Sequence, residues 1–333
     1  MSIVLKNFLS FNFIIIFFLL FLINLFILNK RYLIANFFNI LDYPNERKIH
    51  FVPTPLVGGI CLYLTVLISS IFVFYQNEIS IEKFTVSLLL YSIFFVVGFW
   101  DDTKNISPLK KTLIVLISLI ILIKFENDFL LDKLIFKSSN FVINLENLSI
   151  IFTIFCVFAL FNALNFIDGC NGSAISIVIF WTVFLFFKNP NLIYLFLILS
   201  MFLIFLYNLE GKIFLGNSGT NFLSIFFSLR IVNDYNISNS IYADEIFFIL
   251  LFPGIDMIRV TLERIINRKK IYFPDKTHFH HYLLKKNIKY IWQIVLILSM
   301  TPIFMFYIFN NIFFTSTIFI IIYSLFLIYL KKS

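Results

Sequence analysis

The segment FIIIFFLLFLINLFIL, residues 13–28, holds fifteen apolar residues, one asparagine and no charge. A continuous apolar run is typical of a transmembrane helix, which needs about 20 mostly apolar residues. A strand of a membrane β-barrel would instead alternate polar and apolar residues. Lys30 and Arg31 follow the run and no small-residue cleavage pattern ends it, so we expect a retained span rather than a signal peptide.

The whole chain has the composition of a membrane protein. Of its 333 residues, 60% are hydrophobic, only 13% are charged and 48 are Phe. A soluble domain is expected to be roughly half apolar and about a quarter charged. The composition therefore excludes a soluble enzyme and a disordered tail, and three scattered cysteines exclude a disulfide-rich scaffold.

The apolar segments predict an all-α polytopic membrane protein, a single integral membrane domain over residues 1–333 with about eleven transmembrane helices. Two of these spans are unusual, because 112–123 is short and 220–232 carries Arg230 near its end. The predicted spans are 8–28, 56–75, 84–100, 112–123, 148–163, 173–187, 192–207, 220–232, 246–260, 290–308 and 313–330.

The distribution of Lys and Arg predicts the orientation. The tail and the loops 30–55, 101–111, 164–172, 208–219 and 261–289 together hold 18 Lys and Arg against 8 Asp and Glu, a net charge of +10. The other side has a net charge of −2. Because loops rich in Lys and Arg stay in the cytoplasm, we expect the N-terminus outside and the C-terminus inside a bacterial inner (plasma) membrane. The total charge of +8 is thus no sign of a nucleic-acid partner.

Asp101 and Asp102 are adjacent carboxylates directly after a predicted span. Such a pair repels itself unless a cation or a proton is shared. Oxygen ligands suit Mg²⁺, which proteins hold with one or two carboxylates plus substrate phosphates. A helix cap with a solvated second carboxylate is the alternative interpretation.

The loop 164–172 and the loop 208–219 are polar and rich in glycine. Asn165 and Asp168 are three positions apart, so they share one helix face, and this grouping suits a nucleotide better than lipid packing. Gly216 and Ser218 precede a predicted helix, where backbone N–H groups can bind an anion. Polar turns with helix caps remain the alternative for both loops.

Three of the four histidines, His278, His280 and His281, lie within four positions. We favour binding of phosphate or diphosphate over a zinc site, because no cysteine accompanies them and the nearest carboxylate is Asp275. A solvated polar loop without a binding function is the alternative interpretation. Arg47 and Lys48 in the first loop offer further donors for phosphate.

Asp256 and Arg259 are nearly the only charges inside the predicted spans, and their spacing of three lets them pair on one helix face. Mutual neutralisation and a functional role are left open for this pair. An ion-coupled transporter usually keeps several carboxylates near the membrane midplane. The polar clusters instead lie in the positive loops, which favours an enzyme working at the inner leaflet over a transporter.

In their order, these loops resemble the polyprenyl-phosphate N-acetylhexosamine-1-phosphate transferases of glycosyltransferase family 4. The resemblance covers about 42–284, and the His-x-His-His order is similar to the WecA/TagO/WbpL-like branch rather than to the related MraY type. Its motifs are Asp-x-Pro-x-x-Arg-Lys-x-His from Asp42, Gly-x-x-Asp-Asp from Gly98, Asn-Ala-x-Asn-x-x-Asp-Gly from Asn162, Phe-x-Gly-Asp-x-Gly from Phe214 and His-x-His-His from His278.

The resemblance implies transfer of N-acetylhexosamine 1-phosphate, by default GlcNAc 1-phosphate, from a UDP-sugar to undecaprenyl phosphate with release of UMP. It implies initiation of an envelope glycan such as O-antigen, teichoic acid or a related polysaccharide. It also implies Mg²⁺ as cofactor, with Mn²⁺ as an alternative. The expected partners are undecaprenyl phosphate, a UDP-N-acetylhexosamine and the lipid bilayer, and a homodimer is left open.

The resemblance also assigns roles to single residues. Asp101 and Asp102 are expected to be catalytic, with positioning of the lipid phosphate favoured over base catalysis at Asp101. The other expected roles are metal binding by Asp102, Asn165 and Asn217, nucleotide-sugar binding by Asn208, Asp168, His278, His280 and His281, and phosphate binding by Arg47, Lys48 and Lys111.

Two positions depart from the family pattern. Asn217 replaces the Asp of Phe-x-Gly-Asp-x-Gly, and Asn171 replaces a second Asp after Asp168. Each change removes a negative charge near the expected Mg²⁺, and one charge at a few ångströms matters by several kcal/mol at an effective dielectric of about 20. A catalytically impaired paralogue that binds polyprenyl phosphate as a scaffold is therefore the alternative function.

Overall fold

The computed structural model describes residues 11–44, 51–76, 80–238, 240–270 and 277–332. These residues form α-helices joined by short connections and two small antiparallel strand pairs. The helices are α1 (Phe11–Asn29), α2 (Arg31–Phe38), α3 (Gly58–Tyr75), α4 (Ile81–Lys104), α5 (Pro108–Ile123), α6 (Ser149–Ile167), α7 (Ser173–Lys188), α8 (Leu192–Leu209), α9 (Gly216–Ser238), α10 (Ala243–Ile266), α11 (Phe279–Lys285), α12 (Ile291–Phe309) and α13 (Ile312–Lys331). Strand β1 (Leu41–Asp42) pairs with β2 (Thr54–Pro55), and β3 (Lys133–Phe136) pairs with β4 (Phe141–Asn144).

The predicted class, an all-α membrane protein, is confirmed. In the described part of the chain, seven helices are long and apolar enough to cross a membrane, namely α1, α3, α4, α6, α8, α12 and α13, and α7 is a shorter apolar helix. Each of the eleven predicted spans coincides with a helix, apart from one or two described residues at the ends of some spans. The count of eleven spans and the orientation of the chain stay predictions.

Several helices run further than their predicted spans. Helix α4 continues through Asp101 and Asp102, α6 continues through Asn165, and α9 already begins at Gly216. These residues, predicted to lie in loops, therefore lie on helix ends. Continuing the helix keeps the backbone N–H and C=O groups paired near the membrane surface, a benefit that hydropathy does not register.

Helix α9 packs against α3, α4 and α6. Its first turn touches the backbones of two neighbours so closely that no side chain fits between them. A Cβ added to Gly98 on α4 would collide with the backbone oxygen of Asn217, and one on Gly59 of α3 would collide with the backbone nitrogen of Gly219. Such close approach through small residues is typical of helix packing in membranes. The contact at Gly98 fixes the start of α9 beside the last turns of α4.

A buried polar cluster joins α1, α3 and α8. Asn24, the polar residue of the apolar run 13–28, donates to Thr65 Oγ1 at 3.1 Å and accepts from Ser200 Oγ at 2.9 Å. Hydrogen bonds between membrane helices are worth about 0.6 kcal/mol each on average. Asn24 thus links α1 to two neighbouring helices, which explains a polar residue within an apolar span.

Helix α10 contains Pro253, whose ring nitrogen has no hydrogen to donate to Ile249 O. The indole Nε1 of Trp181 on α7 donates to this oxygen instead, at 3.1 Å. A side chain of the neighbouring helix thereby replaces the lost backbone bond, as the absence of water inside a bilayer requires.

The close approach of α4 and α9 predicts that Gly98→Ala destabilises the protein by about 1–3 kcal/mol, because the new methyl group meets backbone that does not yield easily. Gly254→Ala in α10 is the matched control, since a Cβ there has nothing within 4 Å, and it is expected to be neutral or stabilising by about 0.5–1 kcal/mol. Thermal unfolding of both variants in detergent measures the difference. Equal midpoints for the two variants would contradict the tight contact.

Candidate active site

A cavity of about 550 Å³ lies where α4 and α6 end and α9 begins. One wall is polar and carries the side chains of Asp102, Asn165, Asp168 and Asn217. A second wall comes from the segment after α11 and the start of α12, including Ile288, Lys289 and Trp292. The structure thus brings together residues from three of the predicted motif loops, about fifty positions apart along the chain.

Asp102 receives three hydrogen bonds from the first turn of α9. Its Oδ1 accepts from the backbone N of Asn217 at 2.8 Å and from the side-chain Nδ2 of Asn217 at 3.1 Å. Its Oδ2 accepts from the backbone N of Ser218 at 2.9 Å. A carboxylate is favoured there because the N-terminus of a helix carries partial positive charge. The anion at this helix end is therefore a side chain of the protein itself.

Asp101 is held by a different set of donors. Its Oδ2 pairs with Lys111 Nζ at 3.0 Å, and its Oδ1 accepts from the backbone N of Ile106 at 2.9 Å. The same Lys111 ammonium donates to Asn217 Oδ1 at 2.9 Å. Lys111 therefore bridges the two motifs. Among the described residues, the cavity is lined by Asp102 and Asn217 but not by Asp101 or Lys111.

The side chain of Asn165 is fixed by α9. Its Oδ1 accepts from Thr220 Oγ1 at 2.8 Å, and its Nδ2 donates to Asn221 Oδ1 at 3.2 Å and to Phe161 O at 2.7 Å. Thr220 also lines the cavity. Asn221 was missed from the sequence because it lies inside the predicted span 220–232, and its polar side chain next to Thr220 at the start of that span was the available signal.

Asp168 is the carboxylate of the cavity wall without a hydrogen bond to another described residue. Burial, and then the charge of nearby Asp102, raise the pKa of Asp168 to about 7. Two carboxylates that approach a common cavity repel one another, and a cation between them relieves this repulsion. Asp168 is therefore poised to accept a proton, a hydrogen-bond donor or a cation from whatever fills the cavity.

Asn208 joins two turns at the edge of the cavity. Its Oδ1 accepts from the backbone N of Gly172 at 2.6 Å, and its Nδ2 donates to Ile213 O at 2.9 Å. Both ends of its amide thus bind backbone, although the residue also lines the cavity. Its predicted contact with a nucleotide stays a prediction.

The three motif histidines surround the start of α11. The rings of His278 and His280 are parallel with centroids 5.6 Å apart, and His281 lines the cavity. His280 packs on Gly169, where an added Cβ would collide with its ring. Gly169 therefore not only forms part of a turn but also leaves room for the ring of His280, which comes from a distant loop.

His280 is deeply buried, and its Nε2 has no hydrogen-bond partner among the described residues. Burial, and then the neighbouring His281 and His278, lower the pKa of His280 to about 3. This imidazole is therefore neutral at physiological pH. It can accept or donate one hydrogen bond but offers no positive charge to a phosphate.

The Asp256–Arg259 pair, left open between neutralisation and function, supports the histidine segment. Asp256 Oδ1 pairs with Arg259 Nη2 at 2.6 Å, and its Oδ2 lies 3.6 Å from Nδ1 of His278. Arg259 also donates to Thr277 O at 2.8 Å, and Tyr323 donates to Asp256 Oδ1 at 2.8 Å. The pair is thus both neutralised and used to hold the chain that enters α11.

The remaining predicted phosphate ligands, Arg47 and Lys48, lie outside the described residues. Nothing structural therefore bears on their expected role. Asp42, the first residue of the same motif, does line the cavity. Sequence reasoning also missed Lys289 and Trp292, which line the same cavity, because neither belongs to a motif.

Comparisons with known proteins agree with the resemblance inferred from the motifs. The family model described as Glycosyl transferase family 4 matches residues 84–233. A Pasteurella multocida protein named undecaprenyl-phosphate alpha-N-acetylglucosaminyl 1-phosphate transferase is 29% identical over 268 residues, which cover 76% of this chain and 73% of that protein.

Two further relatives carry similar names. A Bacillus subtilis protein named probable undecaprenyl-phosphate N-acetylglucosaminyl 1-phosphate transferase is 26% identical over 260 residues, covering 73% of this chain and 69% of that protein. A Thermotoga maritima protein named undecaprenyl-phosphate alpha-N-acetylglucosaminyl 1-phosphate transferase is 25% identical over 259 residues, covering 78% and 77%.

The lowered pKa of His280 predicts how stability depends on pH. Between the unfolded value near 6.5 and the folded value of about 3, the unfolded chain binds the extra proton. The free energy of unfolding is therefore highest above pH 6.5 and falls below it, by up to about 1.4 kcal/mol per pH unit from this group. We expect His280→Gln to lose that part of the slope in unfolding measured from pH 7.5 to 5. A variant with the parent's slope would contradict the prediction.

Proposed function

We propose that this chain, a member of glycosyl transferase family 4, transfers N-acetylhexosamine 1-phosphate from a UDP-sugar to a polyprenyl phosphate and releases UMP. The observation that carries the proposal is the cavity on which Asp102, Asn165, Asp168 and Asn217 converge at the ends of membrane helices. A lipid substrate must approach such a site from the bilayer, and a nucleotide from the water beside it. The names of the relatives support the same general reaction.

We propose GlcNAc as the sugar and undecaprenyl phosphate as the acceptor, because these appear in the names of the Pasteurella and Thermotoga relatives. The proposed product initiates an envelope glycan at the cytoplasmic face of the inner membrane. The net charge of +10 in the motif-bearing loops and the tail 331–333 supports that face. A cavity of about 550 Å³ falls within the usual range for small-molecule sites.

The oxygen-rich wall of the cavity fits a divalent cation. Asp168 offers a carboxylate without a hydrogen bond to described residues. Asp102, Asn165 and Asn217 line the same cavity, and their side-chain oxygens each accept hydrogen bonds but keep a further lone pair. We propose these four residues as the candidates to hold Mg²⁺, or Mn²⁺ in its place. Bound there, the cation would offset the mutual repulsion of the two phosphates that must approach one another.

The chain's own residues position the reactants in this proposal. In the transfer, an oxygen of the lipid phosphate forms a bond to the β-phosphorus of the UDP-sugar, and the bond to the UMP oxygen breaks. A phosphate monoester has a second pKa of about 6, so it is largely deprotonated at neutral pH and needs no strong base. Asp101 and Asp102 therefore act by fixing Lys111 and the start of α9, consistent with their hydrogen bonds.

The positive charge in the site is sparse. Lys289 and His281 line the cavity, and the Lys111 ammonium lies behind Asn217 in contact with Asp101. We propose that Lys289 and His281 orient phosphate oxygens of the substrates. His278 and His280 would instead have a structural role. His278 contacts Asp256, and His280 is buried against Gly169.

A second candidate function rests on Asn217 and Asn171. Asn217 donates through Nδ2 to Asp102, where an aspartate at that position would repel it. The pair is thus tied together without a cation. This observation favours an impaired paralogue that binds polyprenyl phosphate as a scaffold without turnover.

Release of UMP from UDP-GlcNAc in the presence of undecaprenyl phosphate and Mg²⁺ tests the two functions. We expect turnover by the parent protein, and loss of at least about a hundredfold in rate in Asp102→Asn, because this change turns one oxygen acceptor of the α9 cap into a donor. Absence of UMP release with every UDP-N-acetylhexosamine, together with its recovery in Asn217→Asp, would establish the scaffold instead.

Binding of Mg²⁺ is tested without turnover by thermal unfolding in increasing MgCl₂. We expect the parent protein to be stabilised and Asp168→Asn to need at least about tenfold more Mg²⁺ for the same shift, because a unit charge is lost within a few ångströms of the cation. Asp132→Asn, which removes an exposed carboxylate far from the cavity, is the matched control. The same Mg²⁺ dependence in both variants would exclude Asp168 as a ligand.

A further inference from the structure

A second polar cavity, of about 370 Å³, lies at the other end of the helix bundle. Its wall includes Ser70 near the end of α3, Ser80 and Lys83 at the start of α4, and Asn191 just before α8. Arg230 of α9 lines it too, thirteen positions after Asn217, which is about 20 Å along a helix axis at 1.5 Å per residue. This cavity is therefore separate from the candidate active site.

Arg230 is the unusual group in the wall. Its side chain is 9% exposed, and its Nε and Nη2 are buried without a hydrogen-bond partner among the described residues. Its guanidinium lies 5.4 Å from the centroid of the Tyr194 ring, a cation–π contact that uses none of its N–H groups. A buried cation with unpaired donors is costly, so a partner from outside the chain is expected.

The nearby carboxylates are occupied by other donors. Asp234 accepts from Tyr194 Oη at 2.6 Å and from Asn189 Nδ2 at 2.9 Å. Asp128 pairs with Lys83 Nζ at 2.8 Å. Neither carboxylate forms a hydrogen bond or an ion pair with Arg230 in the described part of the chain. The cavity thus presents a guanidinium whose Nε and Nη2 have no hydrogen-bond partner among the described residues.

Asn233 indicates a second property of the missing partner. It lines the same cavity, its side chain is 8% exposed, and its Oδ1 also lacks a hydrogen-bond partner among the described residues. An unpaired acceptor beside unpaired cationic donors suits a ligand that combines an oxyanion with a hydroxyl group. A phosphate group that is protonated or attached to a hydroxylated headgroup has this combination, and the planar fork of Arg matches its oxygens.

We propose that Arg230 and Asn233 form a phosphate-binding site at the end of the bundle opposite the candidate active site. Because the apolar helices α3, α4 and α8 begin or end around it, the site lies at the level where lipid headgroups meet water. Its ligand is a phosphate group, carried by free phosphate or by an anionic lipid. The proposal is independent of the transferase activity.

Thermal unfolding of the full chain in detergent, titrated with inorganic phosphate, tests the site. The parent protein is expected to be stabilised, and Arg230→Gln is expected to lose the part of the shift that comes from this site. Arg230→Lys keeps the charge but loses the planar fork, so its half-saturating phosphate concentration is expected to rise about tenfold, as for loss of one charge-assisted hydrogen bond. Lys133→Gln removes an exposed cation from the nearby strand β3 and should behave as the parent does.

A lipid arm distinguishes the two sources of the phosphate. The same proteins are compared in nanodiscs of phosphatidylcholine alone and of phosphatidylcholine with phosphatidylglycerol. Stabilisation by phosphatidylglycerol that Arg230→Gln removes, without a response to inorganic phosphate, identifies a lipid headgroup. A response to inorganic phosphate alone identifies the free ion.

Two results would overturn the proposal. One is that phosphate and phosphatidylglycerol stabilise Arg230→Gln by the same amount as the Lys133→Gln control. The other is that neither phosphate source stabilises the parent protein. If Arg230→Gln does not fold, Arg230→Lys decides the question in the same way, because an unchanged half-saturation point would contradict the site.

Discussion

The carboxylate of Asp102 at the start of α9 is the interaction on which the rest of the site depends. It accepts the backbone N–H groups of Asn217 and Ser218, and so joins the end of α4 to a helix more than a hundred residues later. The contact is close because Gly98 leaves room for the backbone of α9. Asn165 is then fixed from α9 through Thr220. Asp102, Asn165 and Asn217 are therefore placed relative to one capped helix end.

Buried polar groups in this chain are held mostly by one another. Inside the bundle, Asn24 is satisfied by neighbouring helices, and Asp256 is satisfied by Arg259 and Tyr323. Two of the exceptions are informative because an unpaired polar group in the bilayer is expensive. Among the described residues, Asp168 at one end has no side-chain hydrogen bond and Arg230 at the other leaves Nε and Nη2 unpaired, and each residue borders a cavity. Each end thus has one ionisable side chain that is available to a ligand in its cavity.

The helices could be predicted from the sequence because a membrane helix needs only a local property, a continuous apolar run. The motif residues could be named because their types and order resemble a known family. Contacts between distant segments could not be read in this way. Nothing in the order of residues tells that His280 lies on Gly169, or that Asp256 supports the segment of His278. Arg230 registered only as a charge that weakened the predicted span 220–232.

Pro253 lies inside α10, and Asp256 lies less than one turn beyond it. The backbone hydrogen bond that the proline removes is replaced by one from the indole of Trp181, so α7 stabilises α10 at this point. Since Asp256 and Arg259 hold the chain that leads into α11, the position of the histidines depends on α10 and, through it, on α7. Helix α7 carries no cavity carboxylate, yet through its contact with α10 it supports the part of the cavity lining that includes His281.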